Sequence, residues 1–114
     1  MLDQTIYIQE EAKLKVTIDS IVQYILQIGR TCRQSGVKDI FISSITYRSN
    51  PNEMKRVREI NNILKSMCVA ENFIFICNDS IGKEHLWKDG LHLLDGGTNI
   101  LANNFIKSLN ENLL

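Results

Sequence analysis

The sequence carries no excess of either charge: 13 Lys and Arg balance 13 Asp and Glu. That removes the electrostatic case for a nucleic-acid or anionic-membrane partner. No apolar run approaches the ~20 residues that span a bilayer. The N-terminus, Met1-Leu2-Asp3-Gln4, lacks a basic region followed by an apolar one, so no signal peptide is read. Cysteines are few and odd in number, at 32, 68 and 77. Their wide spacing and the absent signal predict reduced thiols and an intracellular location, cytoplasmic or nuclear. No internal repeat, low-complexity segment or linker breaks the chain. What is present is a 44% apolar share, which suits a packed globule. At 114 residues the chain is one domain at most, 1–114, and short for a complete doubly wound sheet.

Residues 2–12 show no strong pattern and read as a loop, with a short extended piece at Thr5–Ile8. From about 13 to 35 the period is helical. Val16, Ile18, Ile21, Val22, Ile25, Ile28 and Cys32 recur at three- and four-residue steps. Ser35-Gly36 stops that helix, with Gly36 as a left-handed cap. Val37 to Ile45 is a strand signal, and its continuous Ile40-Phe41-Ile42 predicts cover on both faces. A second helix starts at Asn50-Pro51-Asn52-Glu53. Asn50 is the N-cap, Pro51 the first helical residue and Glu53 the third-position acceptor of a capping box. Its apolar stripe, Met54, Val57, Ile60, Leu64, Met67 and Cys68, runs to about residue 70. Phe73 to Cys77 is the second buried-strand signal. About eighteen residues without a clear period follow, and a loop that long is usually functional. A last helix at about 96–111 has Asp95 as cap, a Leu101/Phe105/Leu109 stripe, and a fraying end at Asn110–Asn112.

Helix, strand, helix, strand, loop, helix implies a parallel strand pair with a right-handed crossover. Ligand sites in such sheets lie beyond the C-terminal ends of the strands. Those ends are Tyr47-Arg48-Ser49, Cys77-Asn78-Asp79 and the start of the long loop. The loop holds both histidines and the only tryptophan: His85-Leu86-Trp87-Lys88-Asp89-Gly90-Leu91-His92-Leu93, then Asp95-Gly96-Gly97. A carboxylate three residues before a histidine can hold one ring nitrogen and leave the other to act as a base.

Lys88-Asp89-Gly90-Leu91-His92-Leu93, with Gly97 and a helix opening at Ile100-Leu101-Ala102, resembles the closing motif of the SGNH/GDSL hydrolases. The stretch from Lys38-Asp39-Ile40-Phe41-Ile42-Ser43 through Asn61 to Phe105-Ile106 is similar to that family too. The likeness is strongest to SGNH-type esterase domains of LINE-type retrotransposons. It covers nearly the whole chain, but only the C-terminal part of the family's domain. It implies an α/β fold: the C-terminal half of a flavodoxin-like three-layer α/β/α domain. It also implies ester hydrolysis through an acyl-serine, without a cofactor or metal. His92 would be the base and Asp89 its orienter. The family's nucleophile-bearing Gly-Asp-Ser, its oxyanion-hole Gly and its Gly-x-Asn are absent. The expectation is therefore a truncated or split copy, inactive alone. The rival expectation is a non-catalytic interaction fragment whose sheet edge pairs with itself or with a partner.

Other residues offer weaker candidates than this pair. Ser43, Ser44, Thr46, Ser49 and Ser80 stand in no Gly-Asp-Ser context. Cys77 could pair with His92 as a nucleophile, but apolar surroundings would raise its pKa and leave it inert. A metal site from Cys77, His85, Asp89 and His92 fits by residue type but matches no tight zinc spacing. His85 reads as a turn residue or partner of Glu84, and Trp87 as a loop anchor. Cys32 and Cys68 read as small buried hydrophobes.

Overall fold

The computed structural model describes the backbone of residues 4–113 and the side chains of residues 17–113. Two compact units make up the chain, residues 1–38 and 39–114.

The first unit is one helix, α1 (Gln4–Gln34). The loop expected at 2–12 is helical from Gln4 onward; residues 2 and 3 lie outside the described residues. Gln, Glu, Ala, Lys and Leu dominate residues 9–15 with no Pro or Gly, and that propensity outweighs the β-branched Thr5, Ile6 and Ile8. Ile18 and Val22 are buried, whereas Ile21 and Ile28 of the expected stripe are exposed. The helix ends as expected. Gly36 takes φ +97°, and the N–H of Val37 donates to the Cys32 carbonyl at 3.1 Å, closing the last turn.

The second unit contains β1 (Phe41–Ser43), α2 (Pro51–Glu71), β2 (Ile74–Ile76), a 3-10 turn at Lys83–His85 and α3 (Asp95–Leu113). β1 and β2 are parallel, with Phe41 opposite Ile74 and Ser43 opposite Ile76. Among the described residues they are the whole sheet. Both strands are shorter than their apolar runs. Beyond Ser43, the N–H of Ile45 donates to the Asn61 side-chain oxygen at 2.8 Å, and the Asn61 amide donates back to the Ile45 carbonyl at 3.0 Å. The α2 side chain thus takes up backbone groups that strand pairing would have used.

α2 opens as its sequence dictates: Asn50 accepts from the N–H groups of Asn52 and Glu53, with Pro51 first in the helix. Its inward face is Val57, Ile60, Leu64 and Cys68, and Leu64 is fully enclosed. Burial raises the Cys68 thiol pKa, as expected for a small core hydrophobe. Asn72 closes the helix in the left-handed region at φ 58°.

Both α2 and α3 pack on β2. Phe75, Cys77 and Asn78 line a cleft with α2 residues, and Asn78 also bonds to Asn104 of α3. The unit is thus a small parallel sheet packed by helices. The inward face of α3 differs from the expected Leu101/Phe105/Leu109 stripe. Gly97 and Ser108 are buried, while Phe105 and Leu109 are exposed at 37% and 40%. Hydrogen bonding at Asn104 and close approach at Gly97 set this face. Helix α3 begins at Asp95 itself, where a carboxylate suits the helix dipole. It also continues through the stretch expected to fray, with the Asn112 side chain donating to the Ser108 carbonyl at 2.7 Å. Among the described residues no helix is long and apolar enough to cross a membrane.

Candidate active site

The long loop after β2 folds into a short hairpin. Leu86 and Leu93 form an antiparallel bridge. The N–H of Trp87 donates to the His92 carbonyl, and the N–H of Leu94 to the His85 carbonyl, both at 2.8 Å. At the tip, the N–H of Gly90 donates to the Trp87 carbonyl at 2.9 Å. Gly90 sits at φ +69°, and a Cβ there would lie 2.5 Å from the Ser49 Cβ. Only glycine meets both demands. The N–H of Ser49 donates to the Gly90 carbonyl at 3.1 Å, which ties the hairpin to the segment following β1. The motif therefore stands against the loop at a strand's C-terminal end, as the crossover argument predicted. At the base, a Cβ on Gly97 would come within 2.9 Å of the His85 carbonyl oxygen, so this glycine lets α3 approach the hairpin.

Asp89 does two jobs in this turn. Its Oδ1 accepts from the N–H groups of Leu91 at 2.9 Å and His92 at 3.1 Å. Its Oδ2 meets His92 Nδ1 at 2.5 Å. The His92 ring leads the causes that lower the Asp89 pKa to about 2, followed by the two backbone donors. An ionised carboxylate only accepts, so the proton of this contact belongs to Nδ1. Nε2 is the ring nitrogen not engaged by Asp89, and the His92 side chain is 74% exposed. A histidine held by a carboxylate through one ring nitrogen can exchange a proton through the other.

The other residues weighed from the sequence divide differently. His85 Nδ1 accepts from the Gly82 N–H at 2.9 Å and lies 3.5 Å from a Glu84 oxygen, so it is a turn residue with a Glu84 contact. Trp87 is not a loop anchor. It is 57% exposed, and its neighbour Leu86, at 8%, is the side chain that holds the hairpin to the body. A hairpin turns alternate residues to opposite sides, and here the smaller apolar residue takes the inward place. Cys77 lines a cleft of about 420 Å³ with Tyr47, Arg58, Asn61 and Phe75, and neither Asp89 nor His92 borders it. Ser43 and Ser44 are spent on structure. Asn78, 2% exposed, donates its side-chain amide to the Ser43 hydroxyl and the Ser44 carbonyl, and its N–H to the Ser44 hydroxyl. Asn104 donates to the Asn78 side-chain oxygen at 3.1 Å and lies 3.4 Å from the Ser80 hydroxyl. In the sequence Asn78 stands out only as a strand end. Its signal, a polar residue directly after an apolar strand, points to the place but not to the partners.

No protein-family model and no curated protein matches the sequence. Solved structures do. A Bacteroides fragilis protein described as an acylhydrolase aligns with TM-score 0.74 and 15% identity, over 85% of this chain and 53% of its own. A GDSL-like lipase of Bacteroides thetaiotaomicron aligns with TM-score 0.72 and 13% identity, over 82% of this chain and 53% of its own. The esterase domain of the ORF1 protein from the zebrafish ZfL2-1 retrotransposon aligns with TM-score 0.71 and 21% identity, over 82% and 60%. The chain thus spans little more than half the length of the structures it resembles. Over that span, with its helix-covered parallel strands, it has the fold of the SGNH/GDSL-type hydrolases.

Proposed function

We propose that this chain supplies the base half of an acyl-ester hydrolase site, with His92 as general base and Asp89 as its orienter. The observation that carries this reading is the 2.5 Å contact between His92 Nδ1 and Asp89 Oδ2, which engages one nitrogen of an exposed ring and leaves Nε2 for proton transfer. Nε2 takes the proton of an attacking hydroxyl and returns it to the departing alcohol. Asp89 stabilises the imidazolium formed in between. Attack also requires a nucleophile and oxyanion donors. Among the described residues no hydroxyl or thiol hydrogen-bonds to His92. We therefore assign the nucleophile to a serine outside this chain, in a Gly-Asp-Ser context, and expect the isolated chain to be inactive.

Two measurements test this. The isolated chain should hydrolyse p-nitrophenyl acetate no faster than its own His92→Ala variant; a rate that vanishes in the variant would place a nucleophile within these residues. The protein extended by whatever its reading frame encodes upstream should hydrolyse the ester, and His92→Ala should lower that rate at least ~10³-fold. An extended protein without Gly-Asp-Ser, or one indifferent to His92→Ala, would overturn the enzyme reading.

A second reading has one observation in its favour. The bonds from Ile74 N–H to the Ile40 carbonyl and from Ser44 N–H to the Ile76 carbonyl direct the even residues of the β1 segment toward β2. Phe41 and Ser43 then present their backbone groups on the other edge. An uncovered edge of this kind pairs with another strand, whether from a second copy or from a partner. Sedimentation of the isolated chain separates the two readings: a monomer at tens of micromolar speaks against self-pairing.

A further inference from the structure

We infer that Trp87 is the apolar wall of the His92 site and receives the hydrocarbon chain of an acyl ester. This rests on the ester-hydrolase reading and deepens it by naming the substrate class. The hairpin pairing carries the argument. With Leu86 opposite Leu93, and the Trp87 N–H bonded to the His92 carbonyl, Trp87 is the residue directly across from His92. Side chains opposite each other on an antiparallel pair share one face, with Cβ atoms ~4.5–5.5 Å apart. The bridging leucine Leu86 faces inward at 8% exposure, and Trp87 and His92 face solvent together.

The hairpin does not need this indole for its own stability. Its turn is held by Gly90 N–H on the Trp87 carbonyl and by Asp89 on the N–H groups of Leu91 and His92. Any residue with a backbone carbonyl would serve at position 87. A large aromatic side chain left more than half exposed on a fixed backbone is what binding sites present. Leu94, two residues beyond His92, adds a second apolar side chain at 37% exposure. The polar groups on the hairpin beside the His92 ring are committed. Asp89 is shared between the His92 ring and two backbone donors, and His85 Nδ1 is held by the Gly82 N–H. A sugar ring stacked on Trp87 would need free carboxylates or amides around its hydroxyls. A hydrocarbon chain needs none.

The test uses the 114-residue chain and 2-decanone, an uncharged, non-hydrolysable counterpart of an acyl ester. Trp87 is the only tryptophan, so its emission reports directly. The expected result is a saturable blue shift, with amide NMR shifts confined to residues 85–94. Trp87→Ala should fold normally by circular dichroism and bind at least about tenfold more weakly by NMR titration. Methyl glucoside at equal concentration should leave both signals unchanged. No response to the ketone, undiminished binding in Trp87→Ala, or a larger response to the glucoside would each overturn the inference. Failure of the parent reading shows elsewhere, as His92-independent hydrolysis by the extended protein. A chain that binds the ketone at Trp87 yet never gives a His92-dependent rate keeps the wall and loses the hydrolase.

Discussion

Two polar clusters of this molecule use similar groups to opposite ends. The Asn78 cluster is buried and neutral. Its amide, carbonyl and N–H are all partnered, by Ser43, Ser44 and Asn104. The Asp89 cluster is exposed and charged, and among the described residues one nitrogen, His92 Nε2, has no bond partner. In the first, burial makes every unmade bond costly, so the cluster locks the strand ends to α3. In the second, water can replace any bond at little cost, so the cluster adds little to folding and is free to be reactive. Structural and chemical roles thus separate by burial and by what is left unpaired.

That contrast can be broken most severely at Asn78. Asn78→Ala removes two amide donations and the acceptor for Asn104, leaving the Ser44 carbonyl and Asn104 in need of partners. It should cost about 2–4 kcal/mol of unfolding free energy, read as a lower urea midpoint. Gly90→Ala should act next most strongly. It forces a side chain into the left-handed region and against Ser49, at about 1–3 kcal/mol. Its particular mark would be displaced NMR signals for both Ser49 and His92, because the hairpin must leave its neighbour. Asp89→Asn should leave the urea midpoint of the isolated chain unchanged within error, since its carboxylate is exposed. A large shift there would show that the turn depends on the charge and would erase the distinction between the clusters.

The pH dependence sharpens the comparison further. Asp89 titrates in the folded chain near 2, below its ordinary value, with His92 the leading cause. Its unfolded carboxyl titrates near ~3.9. Its small contribution to stability is therefore fully present above about pH 4 and is lost as pH falls through the range down to about 2. Carbon-detected NMR of the Asp89 carboxyl should show a midpoint near 2. In His92→Ala that midpoint should move up toward the ordinary range. An unmoved midpoint would assign the depression to the backbone N–H donors alone.

How much of this was legible depended on sequence distance. The α2 cap at Asn50 and Pro51, the left-handed Gly36 and the Asp89–His92 pair are all set by residues within about three positions of one another. Local chemistry fixes such contacts, and each was readable. The parallel strand pair was readable from apolar runs and the intervening helix. Facing was not. Periodicity marks which residues of α3 are apolar, but Gly97 against His85 and Asn104 against Asn78 decide which side turns inward. The same holds for Leu86 and Trp87, adjacent residues of which the sequence favours the larger as anchor. Pairing across the hairpin gave the inward place to Leu86.

The clasp between Asn61 and Ile45 has a consequence for anything that joins this sheet. A primary amide offers one donor and one acceptor side by side, as a backbone residue does in a ladder. Asn61 occupies both groups of Ile45, two residues past the end of β1. A strand added along Phe41 and Ser43, as in the second reading proposed above, would next meet a position already filled. The clasp would then act as a stop on the zipper, limiting the length of such a strand. Asn61→Ala would remove that stop and let pairing run on past Ile45.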